Sequence, residues 1–388
     1  MSDIDFNDYA DKWQTNALLA LDTIAMRPVR GIPTCTLNDM QWSHLDIFSG
    51  NPPGSYEKDP VRVYREFSLK TGVCFIDQWI PENPLSMRDQ GYEDTTRGAT
   101  TGAEEIFCDG MRIDSPEAAV EHMEKYLFPQ WEQWRKNLIA NVDEEVRGRI
   151  AGEVKVQNFF GMNMLKGPYN GFFTFPGFLY GQYGYVNYFS AYALYPEIIE
   201  KGFKLYADAA EVYNRIATRA IIEGGLPRLI RLDHDMADSR GTLVNVKTLD
   251  NLWMPHFARA IKPLLDADIR LIWHCDGNLM EMVPRLLEAG IGGFQGFQYE
   301  DGMDYEKICK MTDRNGDPLF IIAGVSVTRT LPMGKPSDVK REMDWLVEKG
   351  PKVGLMLACS SSIAPGVPLE NMKTLLEGFA HYRVNGRI

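Results

Sequence analysis

The sequence predicts a (β/α)8 barrel, and three observations support this fold class. Short apolar runs alternate with helical segments throughout the second half of the chain, which indicates a parallel sheet with right-handed crossovers. Several of these runs end abruptly in acids or histidine, as buried strands do where they reach the functional edge of such a sheet. With 388 residues, the chain has room for eight strand–helix units, an N-terminal helical extension and a long lid-like loop within one domain over residues 1–388.

The first hundred residues contain the weakest strand signals. Residues 1–28 carry helical spacing and are predicted to form an N-terminal helix that a proline closes. Residues 29–35 are a weak strand candidate because two prolines and a glycine interrupt them, whereas residues 72–79 form a better strand that includes Asp77. Residues 81–111 are polar and aperiodic, and a loop of this length usually covers a functional site, so we predict a lid.

The middle of the chain is predicted to be helical around one aromatic stretch. Ser115 and the proline after it are typical of a helix start, and helical residues continue to about Gly152. The segment Phe172–Tyr188, which we call the aromatic segment, forms either an apolar pocket wall or a packing layer between lid and barrel. Residues 196–222 form a long amphipathic helix.

From residue 229 onward strands and helices alternate regularly. The predicted strands are 229–235, 269–274, 290–297, 319–326 and 353–360. The predicted helices are 252–265, 280–289, 305–311, 337–349 and 370–382. Two or three looser strands upstream bring the total to the eight strands of a closed barrel.

Composition and charge restrict the partners. The net charge of −12, with no dense cluster of Lys and Arg, argues against nucleic acid or an anionic membrane as a partner. No stretch approaches the roughly 18 consecutive apolar residues of a spanning helix, and the acidic N-terminus lacks a secretory pattern. The six cysteines are scattered without a C-x-x-C pair. We therefore expect a cytoplasmic enzyme with reduced thiols that acts on a small molecule; a homodimer is compatible with these features.

His274 is the centre of the predicted active site. Residues 269–274 form an apolar strand that ends in His274, with Asp276 two positions later, so both fall at the carboxyl edge of the sheet. Asp235 and Glu300 follow two other strands, and we predict that these four residues are catalytic, with histidine moving a proton and the carboxylates orienting it. The competing interpretation is a core histidine followed by an Asp-Gly turn.

Zinc binding is a second role for the same residues. His274, Asp276 and Cys359 offer nitrogen, oxygen and sulfur ligands of the kinds that zinc accepts. Cys275 is left out of this set because neighbouring side chains alternate along a strand, so it points away when Asp276 points inward. No Walker motif or dinucleotide fingerprint precedes a helix, so nothing indicates ATP or nicotinamide.

Several motifs resemble the uroporphyrinogen decarboxylase superfamily, which includes corrinoid- and thiol-dependent methyltransferases. The resemblance is clearest from about residue 196 to the end. The motifs are Pro196-Glu197, Asp233-His234-Asp235, His274 followed by Gly277-Asn278, Leu331-Pro332-Met333-Gly334, and the stretch from Ala364 to Asn371. The resemblance implies a distorted (β/α)8 barrel with its site in the central cleft, at the carboxyl ends of the strands.

Within that superfamily the chain looks most similar to the methyltransferase branch. The decarboxylase branch carries an Arg-Gln-Ala-Gly-Arg run for the porphyrin carboxylates, and residues 26–32 lack it. The methyltransferase branch carries a zinc site of one histidine and two cysteines. Here Asp276 stands at the first cysteine's place and Ser361 at the second's, with Cys359 two residues earlier, so we expect weak or absent zinc binding.

The resemblance implies methyl transfer between a small O-, N- or S-methylated substrate and a corrinoid (cobalamin) or a thiol. The corrinoid is expected on a separate partner protein, and Gly277 and Asn278, which match the branch, are predicted to contact it. His274 and the carboxylates would then protonate the heteroatom that the methyl group leaves. The alternative is a lyase that decarboxylates a small carboxylated substrate by protonation. A non-enzymatic binding protein is less favoured, because ionisable groups are dense at the strand ends.

Overall fold

The computed structural model describes residues 12–79 and 105–387. The predicted N-terminal helix is observed as Thr15–Ile24, and its earlier part lies outside the described residues. Most of the predicted lid lies outside them as well. Its last residues open a short antiparallel hairpin that pairs Phe107 with Arg112.

Eight parallel segments form the barrel, in the order in which they occur along the chain. Seven of them are the strands Phe75–Ile76, Leu165–Lys166, Leu229–Asp233, Arg270–His274, Gly293–Gly296, Phe320–Val325 and Leu355–Cys359. The remaining segment is Thr34 and Cys35, which bridge Leu357 on one side and Phe75 on the other. Parallel pairing joins each segment to the next, except between Lys166 and Leu229, where the described backbone shows no pairing. The predicted barrel is confirmed.

Burial explains both the strong and the weak strand predictions. All six residues of Phe320–Val325 are buried, as expected for a parallel strand covered on both faces. The interrupted run at residues 29–35 contributes only two bridged residues, although the carbonyl of Pro33 still accepts a hydrogen bond from Leu357. Proline keeps its acceptor but lacks a donor, so it limits how far this first segment can pair.

Helices surround the barrel. They are Thr15–Ile24, Trp42–Ser49, Ser55–Lys58, Pro60–Lys70, Pro116–His122, Phe128–Ala140, Val142–Phe160, Tyr180–Tyr183, Tyr185–Leu194, Pro196–Glu223, Val246–Leu252, Met254–Leu265, Val283–Ala289, Tyr305–Ile308, Thr330–Met333, Pro336–Lys349 and Leu369–Asn385, with a π-helical turn at Met123–Leu127 and a 3-10 turn at Tyr299–Asp301. The long helix Pro196–Glu223 packs against Met254–Leu265 and Phe128–Ala140. Within the described ranges, none of these helices has the length and apolar character needed to cross a bilayer.

The aromatic segment packs between the barrel and the outer helices. The Phe175 ring lies 5.4 Å from the rings of both Phe257 and Trp273. The ring of Phe178 lies 5.0 Å from that of His234, whose Nε2 accepts a hydrogen bond of 3.1 Å from the Phe178 backbone. The segment also lines a small apolar cavity of about 160 Å³, which shares no lining residue with the polar cavity at the strand ends.

Candidate active site

A polar cavity of about 400 Å³ opens at the carboxyl ends of the barrel strands. This is the edge at which (β/α)8 enzymes place their chemistry. Its lining residues are Cys35, Thr36, Asn38, Asp77, Gln78, Asn170, Arg231, Asp233, Asp235, His274, Asp276, Gln295, Ala358, Cys359, Ser361 and Ser362. They come from seven of the eight barrel segments or the loops that follow them, so the closed sheet itself brings the site together.

Four of the predicted site residues line this cavity together: His274, Asp235, Asp276 and Cys359. The backbone N–H of Asp276 donates a hydrogen bond of 3.2 Å to Oδ1 of Asp235, which ties the two neighbouring strand ends to each other. The parallel register sets Asp233 opposite His274, so the loops that follow these two strands start at the same level.

Glu300 does not line the cavity. Its carboxylate accepts a hydrogen bond of 2.6 Å from the Ser326 hydroxyl and another from the Thr328 hydroxyl. On the other side of Ser326, the backbone N–H donates to Glu342 at 2.6 Å, and burial raises the pKa of Glu342 to about 7. Glu300 therefore belongs to a separate carboxylate cluster that holds the end of the strand Phe320–Val325.

Gly277 and Asn278, predicted to contact a cofactor, lie in a tight turn, and neither is among the described residues that line the cavity. The φ of Gly277 is +86°, and a Cβ there would lie 2.6 Å from the carbonyl oxygen of Asp238. The same carbonyl accepts a hydrogen bond of 2.8 Å from the Asn278 backbone. At Gly277 the backbone therefore passes close to the hairpin that contains Asp238. Only glycine allows this approach at such a φ.

Backbone contacts fix the orientation of the His274 ring. Nδ1 lies 3.4 Å from the carbonyl oxygen of Gln295, and a carbonyl can only accept, so Nδ1 carries the hydrogen in the neutral ring. Nε2 then carries the lone pair, and it lies 3.9 Å from Oδ1 of Asp276. The side chain is 9% exposed. His274 is thus held as a base whose free nitrogen lies beside a carboxylate.

Asp276 has one satisfied and one unsatisfied oxygen. Oδ2 accepts a hydrogen bond of 3.2 Å from the Ser361 hydroxyl, whereas Oδ1 is buried and has no hydrogen-bond partner among the described residues. Burial raises the pKa of Asp276 above its usual range, against the opposing effects of His274 and Ser361. The side-chain oxygen Oε1 of Gln295 is a second buried acceptor without a partner in this cavity wall. Buried acceptors are costly to leave unpaired, so these two atoms mark where a ligand donor fits.

Arg231 is a site residue that the sequence interpretation missed. Its guanidinium binds Asp77 at 2.8 Å and Asp233 at 3.2 Å, and it lies 4.6 Å from the centroid of the Tyr169 ring. Burial disfavours the Asp77 carboxylate, yet the charge and hydrogen bonds of Arg231 outweigh burial and hold the pKa of Asp77 below its usual range. The sequence did contain a signal for this ion pair: Arg231 lies inside an otherwise apolar strand. A buried cation requires a buried anion as its partner, so the position predicts an acidic side chain nearby.

The residues proposed as zinc ligands do not form a metal site in this geometry. Across residues 12–79 and 105–387, no group of three or more His, Cys, Asp or Glu side chains is placed to hold a metal ion. Burial raises the pKa of the Cys359 thiol far above its usual range. Asp276 is bound to Ser361 instead. The donor set therefore does not fit zinc.

The profile of the uroporphyrinogen decarboxylase (URO-D) family matches residues 175–382, which is more than half of the chain. Among solved structures, a methyltransferase from Methanosarcina mazei is similar with a TM-score of 0.54 and 15% identity, covering 95% of this chain and 99% of that one. A B12-independent methionine synthase from Shewanella sp. W3-18-1 gives a TM-score of 0.38 and 13% identity, covering 63% and 65%. No curated protein matches the sequence significantly. At such identities the structural similarity concerns the fold alone.

Proposed function

The chain belongs to the uroporphyrinogen decarboxylase (URO-D) family, and we propose that it is a methyltransferase of that family. The proposed reaction moves a methyl group between a heteroatom of a small molecule and a reduced corrinoid or a thiolate. One observation carries the proposal: the cavity sets the free nitrogen of His274 beside Asp276 but offers no unpaired guanidinium among its described residues. The methyltransferase from Methanosarcina mazei provides a precedent for this reaction class on the fold.

His274 moves the proton in this proposal. A methyl group leaves oxygen, nitrogen or sulfur more easily when that atom is protonated, because the bonding electron pair then stays on a neutral product. Nε2 of His274 is the free nitrogen at the cavity surface, and Asp276 at 3.9 Å stabilises the ring when it is protonated. The carbonyl of Gln295 keeps the ring in the required orientation throughout.

The charge balance of the cavity argues against a carboxylated substrate. Arg231 is the sole guanidinium in the described cavity wall, and Asp77 and Asp233 already neutralise it. Carboxylate recognition normally uses a guanidinium whose donors are free for a bidentate pair. A decarboxylase substrate would have to displace a buried ion pair here, which is costly, so the lyase alternative is disfavoured.

The methyl acceptor enters as a second substrate. A reduced corrinoid carried by a separate protein would supply the electron pair for the new bond to the methyl carbon, and the pair of the broken bond would stay on the protonated heteroatom. Because the donor set does not fit zinc, no step is assigned to a metal held by His274, Asp276 and Cys359.

The test is an anaerobic methyl-transfer assay that follows the cobalamin spectrum. Cob(I)alamin is mixed with candidate O-, N- and S-methyl donors, and methylcobalamin is tested in the reverse direction with thiols. We expect a donor-dependent conversion that His274→Ala slows by about 10²–10⁴, the range of a general acid–base group. Glu377→Gln, on the exposed surface of the last helix, is the control with unchanged rate. Release of carbon dioxide from a carboxylated substrate without any cobalamin change would favour the lyase instead.

A further inference from the structure

We infer that the cavity selects a positively charged substrate, a protonated N-methylamine that retains at least one N–H group. This inference rests on the proposed methyl transfer and narrows it from any heteroatom to nitrogen. Three observations on the described part of the cavity wall carry it: an excess of carboxylates, buried acceptors without donors, and the absence of phenylalanine, tyrosine and tryptophan.

The first observation is the charge of the wall. Four carboxylates and one guanidinium line the cavity, and no lysine is among its described residues. Arg231 is shared by Asp77 and Asp233, so that group keeps one net negative charge. Asp235 adds a second on the exposed side, and this excess remains even when Asp276 is protonated. In a partly enclosed cleft such a field attracts cations and repels carboxylates.

Lys166, whose charge acts on Asp77, is already paired with a carboxylate of its own. Nζ of Lys166 binds the Glu153 carboxylate at 2.8 Å and the carbonyl of Gly167, and the side chain is 4% exposed. Its charge is therefore compensated inside the barrel wall rather than presented to a ligand. On the described part of the wall, the carboxylates therefore outnumber the cations even after Arg231 is counted.

The second observation is the pair of acceptors without donors. Oδ1 of Asp276 and Oε1 of Gln295 are both buried and have no hydrogen-bond partner within the described ranges, and both residues line the cavity. Nε2 of neutral His274 adds a lone pair 3.9 Å from Oδ1 of Asp276. All three groups accept hydrogen bonds, so the complementary ligand donates them. An ammonium with N–H bonds supplies donors and positive charge together, whereas an ether or thioether supplies neither.

The third observation separates N–H ammonium groups from quaternary ones. A quaternary ammonium has no N–H bond, and proteins hold it mainly against the faces of aromatic rings. Among the described residues that line this cavity there is no phenylalanine, tyrosine or tryptophan. The aromatic segment lines the separate apolar cavity of about 160 Å³ instead. The site therefore fits a cation that donates N–H hydrogen bonds better than a quaternary ammonium, which presents only methyl groups.

Calorimetric binding to the full-length protein tests this with ligands that share a butyl chain and differ in their head group. The four probes are N-methylbutylamine, which is protonated at neutral pH, butyl methyl ether, pentanoate and butyltrimethylammonium. We expect the protonated amine to bind about tenfold or more tighter than the ether and the quaternary ion, with pentanoate weakest. Asp276→Asn should remove most of the preference of amine over ether, and Glu377→Gln should leave it unchanged. Raising the salt concentration should weaken binding of the amine but not of the ether.

Equal binding of amine and ether, or tightest binding of pentanoate, overturns the inference. If Asp276→Asn does not fold, the salt series on the unmodified protein still shows whether the charge of the amine contributes to its binding. Binding of the amine does not depend on methyl transfer. Selective amine binding with no change in any cobalamin or thiol assay therefore supports the charge inference and refutes the proposed function. Methyl transfer from an ether, with no amine preference, refutes the inference and supports the proposed function.

Discussion

Replacing Arg231 with methionine should be among the most destabilising single changes in the barrel. The guanidinium is 9% exposed and binds Asp77, which is 2% exposed, at 2.8 Å and Asp233 at 3.2 Å. Methionine fills part of the volume but leaves the Asp77 carboxylate buried without its cation. Removing one partner of a buried pair costs about 3–5 kcal/mol, far more than the pair itself contributes relative to an apolar replacement.

Urea unfolding at neutral pH measures this effect, with Arg240→Met as the matched control. Arg240 also pairs with an aspartate, Asp238 at 2.6 Å, but it is 88% exposed, so its loss should not change the unfolding free energy measurably. The double variant Asp77→Asn, Arg231→Met should recover part of the loss, because it removes the unpaired charge. A cost for Arg231→Met below about 1 kcal/mol would refute the argument that Asp77 depends on this cation.

The pH dependence of stability gives a second check on the same pair. The folded-state pKa of Asp77 lies below its unfolded value of about 3.9. The stabilisation is therefore fully present above the ordinary carboxyl range, and it is lost as the pH falls through the lower folded-state pKa. Arg231→Met should remove this acid-dependent loss, since it removes the cause of the lowered pKa. An unchanged acid profile in the variant would argue against the pairing.

Three further predictions concern the buried His234, the turn at Gly277 and the zinc content of the protein. Burial lowers the pKa of His234 to about 4, below its unfolded value, so stability should fall as pH drops from about 6.5 towards 4; His234→Gln, which keeps an acceptor for the Phe178 N–H, should flatten that slope in thermal unfolding. Gly277→Ala should destabilise the protein by roughly 1–3 kcal/mol in urea unfolding, because φ is +86° and the new Cβ would meet the Asp238 carbonyl; an unchanged midpoint would contradict the tight turn. Metal analysis of the purified protein should find substoichiometric zinc, whereas tightly held zinc that is lost in His274→Ala would show that the donor set rearranges to bind metal.

Local sequence patterns were sufficient for the barrel and for the strand that carries His274. The run of residues 269–273, which is apolar except for Arg270, is typical of a strand covered on both faces, and the polar residues after it then fall at the carboxyl edge. The same reasoning placed Asp235, Asp276 and Cys359 at that edge, where they line one cavity. These positions depend on strand direction and length, which short-range patterns encode.

The tertiary structure alone decided which strand-end residues meet and what each one contacts. Glu300 follows a barrel strand as Asp276 does, yet hydrogen bonds from Ser326 and Thr328 hold it outside the cavity. Asp77 and Arg231 are 154 positions apart, and only closure of the barrel brings them within 2.8 Å. Pairing across a closed sheet depends on register and on contacts between distant strands. The sequence of one segment does not specify its register or its distant contacts. Local sequence therefore determined the edge of the sheet on which the site lies, and the tertiary fold determined which charged side chains meet there.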